Sequence, residues 1–270
     1  MNELIIGRYL PGNSWVHRLD PRTKFVLSLI FIFAIFLATN VWGYLLATIF
    51  TLLAVALTGL GFRVFLRGLR PLLLLMLITT VLQLFFVQTG TVLWHWWIFT
   101  ITTDGLLSTG IMFMRFVLII MFSTILTLTT PPLAIADAME SLMAPLAKIG
   151  VPVGELALMV SIALRFVPTL MDEATTIMNA QRARGMNFNE GNLIQRAKSY
   201  IPLLIPLFIN AIKRAIELGD AMEARGYRGG DNRTKYRQLQ AGPRDYIAYL
   251  AFALFVLLLL GTHWLPGMVF

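Results

Sequence analysis

A chain of 270 residues that is 57% apolar and 13% charged, with a mean hydropathy of +0.74, has too little polar surface for a soluble fold of its size. Its formal net charge of +8 does not point to nucleic acid, because Lys and Arg flanking membrane spans supply such an excess through orientation and contact with anionic lipid. The absence of cysteine excludes disulfides, thiolate metal sites and cysteine nucleophiles.

The expected fold is all-α, a polytopic membrane protein of about five transmembrane helices plus long amphipathic cytoplasmic helices. No charge interrupts Phe25 to Phe62, a run nearly twice the thickness of a bilayer core when helical, so it must reverse, most simply near Asn40 to Gly43. Pro71 to about Thr91 forms a third span, Gly105 to about Thr129 a fourth and Tyr246 to about Leu265 a fifth. The first run lacks a following small-residue cleavage site and is expected to be retained as a span. Trp94-His95-Trp96-Trp97 reads as an aromatic belt at the outer interface, with His95 alone no metal site. Arg115 falls within a span. Arginine there is costly, so it is expected to face away from lipid, with Asp104 as a partner only if the outer end of the span unwinds and otherwise backbone carbonyls or a partner protein.

With the N-terminus inside, 21 of the 22 basic residues fall on the inner side, Arg115 being the remaining one. The positive-inside rule then places the N-terminus and residues 131–245 in the cytoplasm and the C-terminus outside. Residues 1–130 would carry the N-terminal segment and four spans, 131–245 a cytoplasmic or interfacial coupling domain, and 246–270 the final span.

Within 131–245, Pro131-Pro132 ends the fourth span and Ala134 to Lys148 reads as a short amphipathic helix. Two longer helices are expected, from about Glu155 to Arg184 and from about Leu193 to Arg225, and Gly229-Gly230-Asp231-Asn232 is a turn-rich exit. Leu156 to Leu164 and Ser199 to Ile212 are each too short an uncharged run to cross, so both helices are read as rods at the inner membrane surface. Leu156, Met159, Val160, Leu203, Leu204 and Ile205 form an apolar platform, either packed on the protein's own spans or open to another membrane protein.

The two long helices end in one phrase, Ala180-Gln181-Arg182-Ala183-Arg184-Gly185 and Ala221-Met222-Glu223-Ala224-Arg225-Gly226. Alanines three apart share a helical face, Arg complements the helix dipole, and Gly adopts the left-handed conformation that ends a helix. One copy would be ordinary capping. Two copies suggest two similar sockets, with small side chains entering a groove and each guanidinium forking onto oxygens at its floor.

These paired ends, with the phrase Ser14-Trp15-Val16-His17-Arg18-Leu19-Asp20-Pro21-Arg22-Thr23-Lys24 before the first span, resemble the transmembrane T component of energy-coupling factor (ECF) transporters, prokaryotic importers of vitamins and metals. The resemblance implies a non-catalytic scaffold in the prokaryotic cell membrane. Ala183, Arg184 and Gly185 would meet one ABC-type ATPase subunit, and Ala224, Arg225 and Gly226 another. The apolar platform would hold a separate membrane-embedded S component that binds the substrate. No cofactor is expected on this chain, with ATP and magnesium in the partner ATPases. For Asp20 to Lys24 a structural reading is preferred: Asp caps a helix, Pro opens it, and Arg and Lys anchor the interface.

The spans hold no carboxylate pair or nucleophile with a base, and the chain has no phosphate-binding loop ending in Gly-Lys-Ser/Thr. Two rivals remain: a self-contained ABC permease, and a lipid-modifying enzyme using Arg184 and Arg225 to bind phosphate.

Overall fold

The structure is a computed structural model describing residues 9–87, 89–96, 99–188, 190–227, 229 and 239–262. It divides into two compact units, residues 1–138 with 238–270, and residues 139–237.

In the first unit, α1 (Pro21–Ala34) runs into a tighter turn at Ile35–Leu37, and α2 (Val41–Leu57) returns. The expected reversal is made by residues 38–40. Asn40 there is fully buried, its side-chain amide donating to the carbonyl of Thr262 at 3.0 Å. Helix α3 (Phe62–Phe86) starts nine residues before the expected third span and so includes Arg63, Arg67 and Arg70. Pro71 does not begin it but lies inside, where it removes one backbone donor from the helix ladder.

Strands β1 (Val92–Trp96) and β2 (Phe99–Thr102) pair antiparallel, with partners such as Trp94 and Ile101. The expected aromatic belt is thus partly a hairpin, formed where β-branched and aromatic residues fit a pleated ladder; Trp97 lies outside the described residues. Helix α4 (Thr103–Thr129) follows directly, capped by the Thr102 hydroxyl accepting from the Gly105 amide at 3.0 Å. Helix α5 (Pro132–Met143) begins at the second of the paired prolines.

The last span is α9 (Pro243–Gly261), whose continuation toward Leu265 lies outside the described residues. Its Phe252 and Phe255 join Phe31, Phe50 and Phe122 in an aromatic core, with Phe31 stacked on Phe122 at 4.0 Å and Phe50 on Phe255 at 4.3 Å between ring centroids. Around this core the helices turn Leu74, Leu250 and Leu257 outward, as apolar faces do when the surrounding solvent is hydrocarbon.

In the second unit, the expected helix over Ala134 to Lys148 is not continuous. A tight turn at Ala144–Ile149 follows α5 because Pro145 removes a backbone donor, and Gly150 closes it at φ 88°. Helix α6 (Val153–Ala183) matches the expected first rod. The second rod is divided into α7 (Leu193–Ser199) and α8 (Ile201–Ala224), breaking at Tyr200 where Pro202 removes a donor from the ladder. Helix α7 opens with a capping box: Gln195 Oε1 accepts from the Asn192 backbone amide at 3.0 Å, and Asn192 Oδ1 accepts from the Leu193 amide at 3.2 Å.

Four described helices are long and apolar enough to cross a membrane: α3, α4, α6 and α9. Counting only the uncharged run before Arg165 understates α6, which resumes an apolar sequence beyond that residue. Helix α2, with 17 residues, is a shorter apolar helix.

Candidate docking tips and their support

Each rod ends in the same geometry. At the end of α6, the Gly185 amide donates to the Arg182 carbonyl at 3.0 Å and the Met186 amide to the Gln181 carbonyl at 3.1 Å, with Gly185 at φ 89°. At the end of α8, the Gly226 amide donates to Glu223 at 2.9 Å and the Tyr227 amide to Met222 at 3.0 Å, with Gly226 at φ 76°. This pair of bonds is the Schellman motif, in which a left-handed residue turns the last amides back onto otherwise orphaned carbonyls. A Cβ on either glycine would meet nothing within 4 Å, so its conformation alone requires glycine.

All six expected docking residues, Ala183, Arg184, Gly185, Ala224, Arg225 and Gly226, are exposed. Their neighbours differ in charge. Arg182 stands beside the first tip, its guanidinium 5.9 Å from the ring centroid of buried Phe188, while Glu223 occupies the equivalent place beside the second. The first tip thus carries two cations, and the second one cation and one carboxylate.

The rods are joined by contacts that the sequence did not single out. Arg214 on α8 forms an ion pair with Glu173 on α6 and lies 5.4 Å from the ring centroid of Phe166. Gln181 on α6 donates to the Pro202 carbonyl of α8 at 3.5 Å. Between these contacts the two helices run in opposite chain directions. Opposite charges widely separated in sequence gave no pattern by which this pair could have been found.

Of the platform residues, Leu156, Met159, Val160, Leu204 and Ile205 are exposed, Met159 by 62%, but Leu203 is buried at 7%. Leu203 therefore does not belong to an open surface, because its side chain is packed within the structure.

The N-terminal phrase builds a polar joint in the first unit. Asp20 caps α1, accepting from the Arg22 amide at 2.9 Å, while its own amide donates to Asp245 Oδ1 at 2.8 Å. The other oxygen of Asp245 accepts from the Gly242 amide at 2.7 Å. The interface-anchor reading of Lys24 needs correction. It is buried, and its ammonium donates to the carbonyls of His17 and Thr129 at 3.1 Å each and to the Thr130 hydroxyl at 3.3 Å. Three oxygens around an ammonium match its three donors, which makes such burial tolerable. Arg115 likewise has a specific partner, though not Asp104: its Nε and Nη2 donate to the Tyr44 hydroxyl at 3.0 and 2.5 Å, and its guanidinium lies 4.9 Å from the Phe36 ring centroid.

Fold and tips together define a class: an all-α polytopic membrane protein carrying two alike, exposed Ala-Arg-Gly helix ends. The sequence model of the family described as "Cobalt transport protein" (CbiQ) matches residues 12–236. The energy-coupling factor transporter transmembrane protein EcfT of Lacticaseibacillus paracasei is 57% identical over 248 residues, covering 92% of this chain and 94% of the relative. That of Lactobacillus helveticus is 54% identical over 265 residues, covering 97% and 96%. That of Leuconostoc gelidum is 50% identical over 268 residues, covering 99% and 100%. The chain belongs to the CbiQ/EcfT family of energy-coupling factor transmembrane proteins.

Proposed function

We propose that this chain is the membrane scaffold of an ATP-driven ECF importer, coupling ATP hydrolysis by two cytoplasmic ABC-type ATPase subunits to reorientation of a separate S component for vitamin or metal uptake. The observation that carries this reading is the shared geometry of the two exposed helix ends, each completed by its own Schellman bonds and each offering one guanidinium. Arg184 and Arg225 make forked contacts to oxygens in a groove of each ATPase, and Ala183 and Ala224 keep the tips thin enough to enter. ATP and magnesium belong to the ATPases, and this chain is a non-catalytic subunit.

In the mechanism proposed, closure of the ATPase pair displaces the docked tips. Helices α6 and α8 carry the displacement to the S component seated on exposed Leu156, Met159, Val160, Leu204 and Ile205. The N-terminus and residues 131–245 face the cytoplasm, because the reverse orientation would put nearly all the basic residues outside. The test is co-purification of the chain with ATPase subunits in detergent, beside an Arg184→Ala/Arg225→Ala double variant. Loss of the ATPases from the variant alone is the expected result. Retention, or failure of the folded wild type to bind any ATPase, would sink the reading in favour of a self-contained permease or enzyme.

A further inference from the structure

Helices α2 and α9 are clasped to one another and border a common cavity. The clasp is the Asn40–Thr262 hydrogen bond together with the stacked rings of Phe50 and Phe255. Beyond it lies a cavity of about 600 Å³, floored by Leu27 of α1 and Ile125 of α4 and bounded at its far end by Trp15 and Leu19. Its rim includes Leu53 and Leu57 of α2 and Ile247 and Leu254 of α9, all of them about half exposed. The groove therefore opens sideways between two apolar helix faces, on a unit that spans the membrane.

We propose that this groove holds an acyl chain of one anionic phospholipid, whose phosphate sits between Arg18 and Arg244. The lining is almost wholly apolar, which suits hydrocarbon. Methylenes similar in size to a water, roughly 30 Å³ each, would fit about twenty to the cavity.

The charge favours an anion. The 2.8 Å bond from the Asp20 amide to Asp245 ties the chain two residues after Arg18 to the chain one residue after Arg244, and both arginines are exposed. Leu19, next to Arg18, and Ile247, three residues after Arg244, line the groove. The neighbouring carboxylates of Asp20 and Asp245 are buried and engaged by backbone amides, whereas Arg18 and Arg244 are exposed. Lys24 also lines the cavity, but its ammonium is already engaged by three oxygens. Two surface arginines beside an apolar slot match a phosphodiester with its chain.

Native mass spectrometry of the full chain, titrated with phosphatidylglycerol and separately with phosphatidylcholine of the same acyl chains, tests this. One phosphatidylglycerol should be retained at a concentration at least tenfold below that needed for phosphatidylcholine. Arg18→Ala/Arg244→Ala should remove the preference while leaving phosphatidylcholine binding unchanged. Ala251→Trp, which fills the groove, should weaken both lipids. Should that variant not fold, Leu53→Cys blocked with a bulky maleimide after purification gives the same readout, the chain having no other cysteine. Equal retention of the two lipids by the wild type, or indifference to blocking the groove, overturns the proposal. So does disulfide crosslinking of Leu53→Cys to a second copy in the membrane, which would show a protein covering the groove.

Discussion

Glu173 and Arg214, paired across α6 and α8, stand at equal distances from the two docking tips: eleven residues after Glu173 comes Arg184, and eleven after Arg214 comes Arg225. At about 1.5 Å per residue each arm is on the order of 16 Å long. Because the helices run in opposite chain directions through this contact, the arms extend to opposite sides of it. The pair is placed to act as a pivot between arms of matched length.

Breaking the pivot should uncouple the arms. The two side chains are 29% and 24% exposed, so the interaction lies between a surface pair and a fully buried one, and Arg214→Ala should cost about 1–3 kcal/mol. Thermal unfolding in detergent measures the loss. The charge-swapped Glu173→Arg/Arg214→Glu variant should recover more than half of it. No recovery would mean that packing by the Arg214 stem on Phe166, and not the ion pair, holds the crossing.

Gly185→Ala and Gly226→Ala should each weaken a tip by about 1 kcal/mol, the cost of a left-handed Cβ residue, since no neighbour blocks the added methyl. Amide hydrogen exchange would register this as faster exchange at Met186 or Tyr227, whose amides close the respective motifs. Asn, which tolerates the left-handed region better than Ala, should restore part of the protection. Unchanged exchange in both alanine variants would show that the ends are held by something other than their backbone geometry.

The charge beside each tip should decide which socket accepts it. Exchanging Arg182 and Glu223, as Arg182→Glu/Glu223→Arg, is expected to reverse the order in which two non-identical ATPases are lost as salt is raised, because short-range charge pairing steers partner choice. Crosslinks from single cysteines at residues 186 and 227 would identify the partner at each tip. An unchanged pattern would assign selectivity to the alanine face instead.

Tyr44→Phe should be more harmful than its single lost oxygen suggests, by about 1.5–3 kcal/mol, since it strips the acceptor from an arginine inside a span. In an Arg115→Met background the same change should cost under about 1 kcal/mol. A double-variant cycle on melting free energy checks this coupling; equal costs in both backgrounds would contradict it.

Much of this architecture can be read from the residues, and the failures have physical reasons. The helix ends at Arg184 and Arg225 are set by local chemistry, a glycine at the one position needing positive φ, so the sequence predicts them to within a residue. The turn before α2 is similarly legible, because an apolar run of such length must reverse at its polar interruption. The start of α3 was not, since Pro71, a residue that ordinarily opens a helix, stands here inside a longer one. Lys24 illustrates a deeper limit: a basic residue at the start of a span usually marks the interface, and only the fold could bring His17, Thr129 and Thr130 around it. Glu173 and Arg214 were invisible for the same reason, as their meaning lies in how two helices cross.

The Schellman bonds at Gly185 and Gly226 mean that each rod is finished before anything touches it. A helix end whose carbonyls are left open must fray or be completed by its partner, and force applied there is dissipated in local melting. These ends are closed by their own chain. A groove that receives one meets a preformed plug with little conformational freedom left to lose, and a push on the plug is delivered to the rod as displacement.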